Sequence, residues 1–394
     1  MLEQMNIAIR TDASTRIGLG HLARCRTLAA ALREQGAAVH FICRAHPGHQ
    51  LDALRAEGYR VSALPAPPVQ AAADGDYAAW LGVSQAQDAA DTLAALTDAP
   101  AAKPKPDWLI VDHYALDATW EQTLSPAVGG ILVIDDLANR RHACDLLLDQ
   151  NFTPDAQARY ADRLPPQTQR LLGPRYALLR PEYAAARQGL RRCQGAAFDK
   201  IQREQNRPNP IELNQPPVRR VLIFFGGTDP DNLTGRALAA LTDPTLAALS
   251  VDLVVGVNNP HRPTLSAQAE VRGNTRLHPP RPHLADFMAE ADLAIGAGGA
   301  TTWERCCLGL PSLVVSIAEN QRPACEALAA ANLIAYLGDK EQVTAEQVRH
   351  RIQTLLNAAE QRQMLAAAGA ALVDGHGAQR VSLAMHSSKT TRIP

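Results

Sequence analysis

Short apolar runs alternate, along the first half of the chain, with segments whose apolar residues recur every three or four positions. "NIAIR" is a run of the first kind and predicts a strand. Leu22, Cys25, Leu28, Ala29 and Leu32 then fall at helical spacing and predict an amphipathic helix. Gly36 stands where a left-handed cap is expected to end it. "VHFICR" and "YRVSAL" predict the next strands, with a short helix over 51–57 between them. "DWLIVD", "GGILVIDD" and "CDLLLD" predict three more, and Asp117 is placed to cap a helix "ATWEQTL". Alternation of this kind predicts a parallel sheet covered on both faces.

Two stretches break the pattern. Residues 65–106 are rich in proline and alanine, with room for one helix in "SQAQDAADTLAAL", and read as an elaborated connection with flexible flanks. Residues 193–217 are polar, then proline-rich, and mark a domain boundary. Beyond them the chain begins again much as it started. "VRRVLIFFGG" predicts a strand, "TDPDNLTGRALAAL" a helix with Asp229 as cap and Pro230 in its first turn, and "VDLVVG" another strand. "ADLAIGAGGATTWERCCLGLPSLVVSI" reads as strand, glycine loop, helix, proline, strand. Ligands of such sheets bind beyond the carboxyl ends of the strands. Two such sheets facing each other would form a cleft there.

Composition narrows the function classes. A formal net charge of -1 and only 4% aromatic residues exclude a nucleic-acid polyanion as main partner. No apolar run reaches membrane-span length, and "MLEQMNIAIR" lacks a signal-peptide pattern, so no membrane partner is expected. The seven cysteines are scattered, as reduced thiols of a cytoplasmic protein would be.

Candidate chemistry gathers where strands end. In "GLGHLAR", Gly18 and Gly20 permit close backbone approach, and His21 would stand in the first turn of a helix. The helix dipole there favours the neutral ring, which is a usable general base; the alternative is a histidine that only bonds the loop. Asp12, beside the same loop, is a candidate partner for His21 or a plain cap. In "IGAGGATTWE", the backbone of Gly298, Gly299, Ala300 and Thr301 is suited to a phosphate. Glu304 there either accepts hydrogen bonds from a ribose or closes a capping box with Thr301. Gly226 and Gly227 expose backbone donors or merely form a tight turn. Asp112 and Tyr114 of "VDHYALD" read as a polar wall of the cleft. No third ligand lies at a recognisable spacing from Asp112 and His113, so no metal is expected. Asp135, Asp136, Arg140 and His142 read as mostly solvated loop charges.

Taken in order, "DASTRIGLGHLARCRTLAAALREQG", "VDHYALDATWE", "IDDLANRRHACDLLLDQN", "LLGPRYALLRPEY", "FGGTDPDNLT" and "DLAIGAGGATTWERCCLGLPSLVVSIAENQ" closely resemble the UDP-2,4-diacetamido-2,4,6-trideoxy-β-L-altropyranose hydrolases of pseudaminic acid biosynthesis, over roughly Ile9 to Gln321. The resemblance implies a GT-B-like α/β fold of MurG type, with two Rossmann-like domains facing across a cleft. These would be an N-terminal domain over 1–192 and a C-terminal UDP-binding domain over 218–376, with a linker over 193–217 and a tail over 377–394. It implies a UDP-sugar substrate, water as the acceptor, and no cofactor or metal. His21 is implied as the catalytic residue, Glu304 as the ribose ligand, and Asn320 and Gln321 as residues facing sugar or diphosphate. Asp112 and Tyr114 are placed to bond the acetamido groups. The implied reaction is inverting hydrolysis; the alternative is a glycosyltransferase using a related UDP-sugar. A UDP-sugar 2-epimerase shares the architecture, and a binding regulator would not need His21.

Overall fold

The computed structural model describes residues 5–67, 76–98, 105–190, 217–256 and 259–390. Contacts divide the chain into two units, Met1–Leu179 with His376–Pro394, and Arg180–Gly375.

The first unit holds a seven-stranded sheet. Its strands are β1 (Asn6–Thr11), β2 (Ala38–Arg44), β3 (Arg60–Leu64), β4 (Trp108–Asp112), β5 (Ile131–Ile134), β6 (Leu146–Asp149) and β7 (Gln169–Leu172), in the order β3-β2-β1-β4-β5-β6-β7. All pairs are parallel, as the alternation predicts. The register Thr11↔Asp112 brings the ends of β1 and β4 side by side, where the strand order reverses. Its helices are α1 (Gly20–Glu34), α2 (Leu51–Ala56), α3 (Gln85–Thr97), α4 (Ala118–Leu124), α5 (Ala156–Arg159) and, from the chain end, α14 (Gly377–Thr390). Alternate residues of β4 enter opposite cores, Trp108 and Ile110 in one, Leu109 and Val111 in the other. Asp117 caps α4 by accepting from the Thr119 N–H at 2.8 Å, and Gly36 follows α1 at φ +90°.

The 65–106 stretch is tied down where it is described. Asp88 of α3 is wholly buried and pairs with Arg10 at 2.6 Å and Arg44 at 2.7 Å. The flanks over 68–75 and 99–104 lie outside the described residues.

The predicted domain limits need correction at both ends. The helical segment α6 (181–190) belongs to the second unit, not the first. Arg187 donates from it to the carbonyls of Cys307, Val373 and Ala370 at 2.6, 3.0 and 2.7 Å. Of the expected 377–394 tail, 377–390 form the closing helix α14, which joins the first unit. Ala378, Val381 and Met385 of α14 enter the core formed with Leu28 and Leu32 of α1. The linker expected over 193–217 lies outside the described residues up to 216.

The second unit holds β8 (Arg220–Phe224), β9 (Ser250–Val254), β10 (Thr275–His278), β11 (Leu293–Ala297), β12 (Ser312–Ser316) and β13 (Ala335–Asp339), ordered β10-β9-β8-β11-β12-β13 and all parallel. Its further helices are α7 (Leu233–Ala240), α8 (Arg262–Arg272), α9 (Ala285–Glu290), α10 (Thr301–Cys307), α11 (Arg322–Ala330), α12 (Ala345–Asn357) and α13 (Ala359–Leu372). Helix α7 starts later than predicted, because Asn232 takes a left-handed conformation and caps it. Asp229 still accepts from the Leu233 and Thr234 N–H groups, each at 2.9 Å. Among the described residues no helix is long and apolar enough to cross a membrane.

Candidate active site

The loop after β1 turns through Gly18, at φ +78°, and delivers His21 to the first turn of α1. Leu19 at the N-cap makes no side-chain cap, so the start of α1 is open. Asp112, the last residue of β4, faces His21 with Oδ1 2.6 Å from Nδ1. One turn further along α1, Arg24 donates to both oxygens of Asp112, from Nε at 2.6 Å and from its terminal nitrogen at 2.7 Å. Burial alone would raise the pKa of Asp112, but Arg24 and His21 outweigh it and hold the carboxyl well below the usual range. An ionised carboxylate only accepts, so Nδ1 carries a proton toward Asp112, with an Arg24 terminal nitrogen 3.2 Å from it, and in the neutral ring Nε2 presents its lone pair. Nε2 has no hydrogen-bond partner among the described residues.

A second carboxylate braces this arrangement. Asp136, after β5, accepts from Arg24 at 2.8 Å and from the Tyr114 hydroxyl at 2.6 Å. Burial, with Asp136 beside it, pushes the Tyr114 phenol well above its usual value, so the hydroxyl stays a donor. The Tyr114 ring meets the His21 ring edge-on at 4.5 Å, and Trp80 stacks on Tyr114 at 5.5 Å. Tyr77 completes the aromatic wall, 4.8 Å from Trp80 and 4.9 Å from Tyr114.

Three expectations change in this unit. Asp12 does not orient His21; it is fully buried, chelated by Arg10 at 2.6 and 2.9 Å, and accepts from the Arg44 N–H. Asp112 commits both oxygens to His21 and Arg24, so it orients the histidine and is not available to an acetamido group; Tyr114 donates to Asp136 instead. Nor are the charges after β5 mostly solvated. Asp135 and His142 are buried, with Asp135 bonded to Arg140 and His142 to Glu121 at 2.6 Å. Sequence reasoning missed Arg24, Tyr77 and Trp80, and read Asp136 as a solvated loop charge. Arg24 did leave a signal, since a cation at that position interrupts the buried stripe of α1.

In the second unit, the remaining candidates sit at the carboxyl ends of the adjacent strands β8, β11 and β12. Gly226 turns at φ +96°, and the Gly227 carbonyl packs so closely on Gly256 that a Cβ there would lie 1.8 Å away. Gly298 is not a free donor: its N–H bonds the Val315 carbonyl at 3.0 Å, and a Cβ would lie 2.3 Å from Cys325 Sγ. The N–H groups of Gly299 and Ala300 have no acceptor among the described residues. The capping box at Thr301 does not form, because Ala300 is the N-cap of α10 and makes no side-chain cap. Thr301 Oγ1 instead accepts from Arg305 at 3.2 Å. That leaves Glu304 half-buried, its carboxyl pushed up by burial against the opposing pull of Tyr183, Arg305 and Arg180. Arg305, buried beneath, ties the Ala297 carbonyl and Thr302 to the start of α10. Gln321 accepts from the Ile317 N–H at 3.1 Å beside the Gly298–Gly299 loop, and Asn320 is exposed on the same turn. Among the described residues, no group of three His, Cys, Asp or Glu is placed to hold a metal ion.

No family model matches the chain. Over 165 residues, 42% of its length, it is 30% identical to the spore coat polysaccharide biosynthesis protein SpsG of Bacillus subtilis, and spans 49% of that relative. Over 317 residues, 80% of its length, it is 22% identical to the UDP-2,4-diacetamido-2,4,6-trideoxy-beta-L-altropyranose hydrolase of Campylobacter jejuni, covering 93% of that protein. The crystal structure of Acinetobacter baumannii MurG superposes with a TM-score of 0.63 over 98% of this chain and all of MurG, at 14% identity. The fold is GT-B-like.

Proposed function

We propose that this chain hydrolyses a UDP-linked 2,4-diacetamido-2,4,6-trideoxy hexose, with UDP-2,4-diacetamido-2,4,6-trideoxy-β-L-altropyranose as substrate. The observation that carries the reading is the His21–Asp112 pair at 2.6 Å, with no hydrogen-bond partner for Nε2 among the described residues. The similarity to the Campylobacter hydrolase along 80% of the chain supports it. His21 Nε2 takes a proton from water as the water oxygen bonds to the anomeric carbon. The anomeric C–O bond to UDP breaks, and the leaving diphosphate keeps the electron pair. Asp112 holds the ring in the required tautomer and stabilises the imidazolium that forms. Attack opposite the leaving group yields the inverted sugar, by analogy with inverting glycoside hydrolysis. Gly299 and Ala300 supply backbone donors to the diphosphate, and Glu304 accepts from the ribose hydroxyls. The test is UDP release from this sugar nucleotide in the absence of any acceptor sugar. Release that appears only when an acceptor is added would replace hydrolysis by transfer.

A further inference from the structure

Beside the aromatic wall of His21 lies a pocket of about 330 Å³ that the proposed chemistry does not use. Its apolar lining comes from Ile17, Pro47, Pro67 and Trp80, and its buried polar groups are Ser14 and His46. The exposed Arg16 stands among the other lining residues. Trp80 belongs to both places, with its ring 6.1 Å from His21.

His46 is only 6% exposed, and its imidazole meets the Asp12 carboxylate. Its Nε2 lies on the buried side, 3.5 Å from Asp12 Oδ2. The Asp12 carboxylate accepts only, so the ring proton belongs on Nε2 and Nδ1 is left as an acceptor. Ser14 is 7% exposed; its Oγ accepts from the Ile17 and Arg16 N–H groups at 2.8 and 3.2 Å, and its own proton has no acceptor among the described residues. With Nε2 turned to Asp12, Nδ1 is the imidazole nitrogen left for a ligand to bond. The pocket therefore offers one acceptor, one donor and apolar walls, which is the complement of a secondary amide carrying a small alkyl group.

We propose that this pocket is an acylamino subsite. His46 Nδ1 accepts from the amide N–H, the Ser14 hydroxyl donates to the amide oxygen, and Trp80 with Pro47 and Pro67 covers the acyl methyl. The inference rests on the proposed sugar class. It gives acetamido recognition to residues other than Asp112 and Tyr114, whose polar atoms are already engaged. It also gives the described part of the 65–106 connection a task, since Pro67 and Trp80 both come from it.

The probe is free 2,4-diacetamido-2,4,6-trideoxy-L-altrose, observed by saturation-transfer NMR on the full chain, so that binding is read without turnover. One acetyl methyl should be strongly saturated with wild type. That signal should fall several-fold in Trp80→Ala and in Ala79→Leu, which narrows the pocket from a half-exposed turn and leaves the core intact. UDP signals should be unchanged in both. With the UDP-sugar, His46→Leu should raise KM roughly tenfold, the worth of one buried hydrogen bond, with a smaller effect on kcat. Replacing that acetamido group by an amine should cost wild type about as much and the His46 variant little. Acetyl signals that ignore both pocket variants would overturn the subsite, even if hydrolysis proceeds. Acetyl contacts that depend on Trp80 without any hydrolysis would keep the subsite and remove the hydrolase reading.

Discussion

At the scale of single residues, the chemistry depends on which carboxylate meets His21. Asp112 does, at 2.6 Å, with Arg24 gripping the same carboxylate from behind. His21→Ala is expected to lower turnover by roughly 10²–10⁴ while leaving UDP affinity unchanged, measured by UDP release and by calorimetry. Asp112→Asn keeps the shape but no longer requires Nδ1 to be the protonated nitrogen; turnover should fall by a similar factor. Asp12→Asn should act on stability rather than on the pH profile of turnover, because Asp12 faces Arg10. His21 was legible from its place between a glycine loop and a helix. Its partner was not, because residues 91 positions apart are joined by the β1–β4 register and not by spacing. The Glu304 pattern misled in the opposite sense. Thr301-x-x-Glu304 has the spelling of a capping box, but the helix begins one residue earlier than that box requires, with Thr301 already inside it.

At the scale of elements, α3 shows how the connection over 65–106 is tied to the sheet. Its Asp88 binds Arg10 and Arg44 where all three are buried, and accepts from the Trp120 indole at 3.1 Å. Asp88→Ala leaves two buried guanidinium groups undercompensated and is expected to cost about 3–5 kcal/mol in chemical denaturation. A loss below 1 kcal/mol would mean the network is not formed. The edge of α4 carries a pH-dependent contact. Burial alone would lower the His142 pKa, but Asp135 and Glu121 outweigh it and push it up to about 9. With an unfolded value near 6.5, this contribution is full below about pH 6.5 and is lost as pH rises through 9. Wild type should therefore lose more stability between pH 6 and pH 10 than His142→Gln does. Central strands were legible as continuous apolar runs. The edge strands β7, β10 and β13 were not, because sequences such as "QRLL" and "TRLH" are half polar and pair on one side only.

At the scale of the whole molecule, the chain returns to its first unit at the end. Val381 and Met385 of α14 are fully buried against α1, the helix that carries His21 and Arg24. Removing 377–394 should speed hydrogen exchange in α1 and leave β8 and β11 protected; equal loss in both units would contradict the division of the chain at Leu179 and Gly375. A two-unit α/β plan was readable from the alternation of strands and helices. The boundaries were not, since the cationic Arg187 and the polar-faced α14 carry no local mark of which unit they join. The proposed role of His21, held by Asp112, is to activate water at an anomeric carbon. Proton NMR of UDP-2,4-diacetamido-2,4,6-trideoxy-β-L-altropyranose with wild type and His21→Ala, followed from the first minute and without acceptor, tests it most directly. Early appearance of the inverted free sugar with wild type, lost in the variant, is the expected result. A retained anomer, or equal rates for the two proteins, would contradict it.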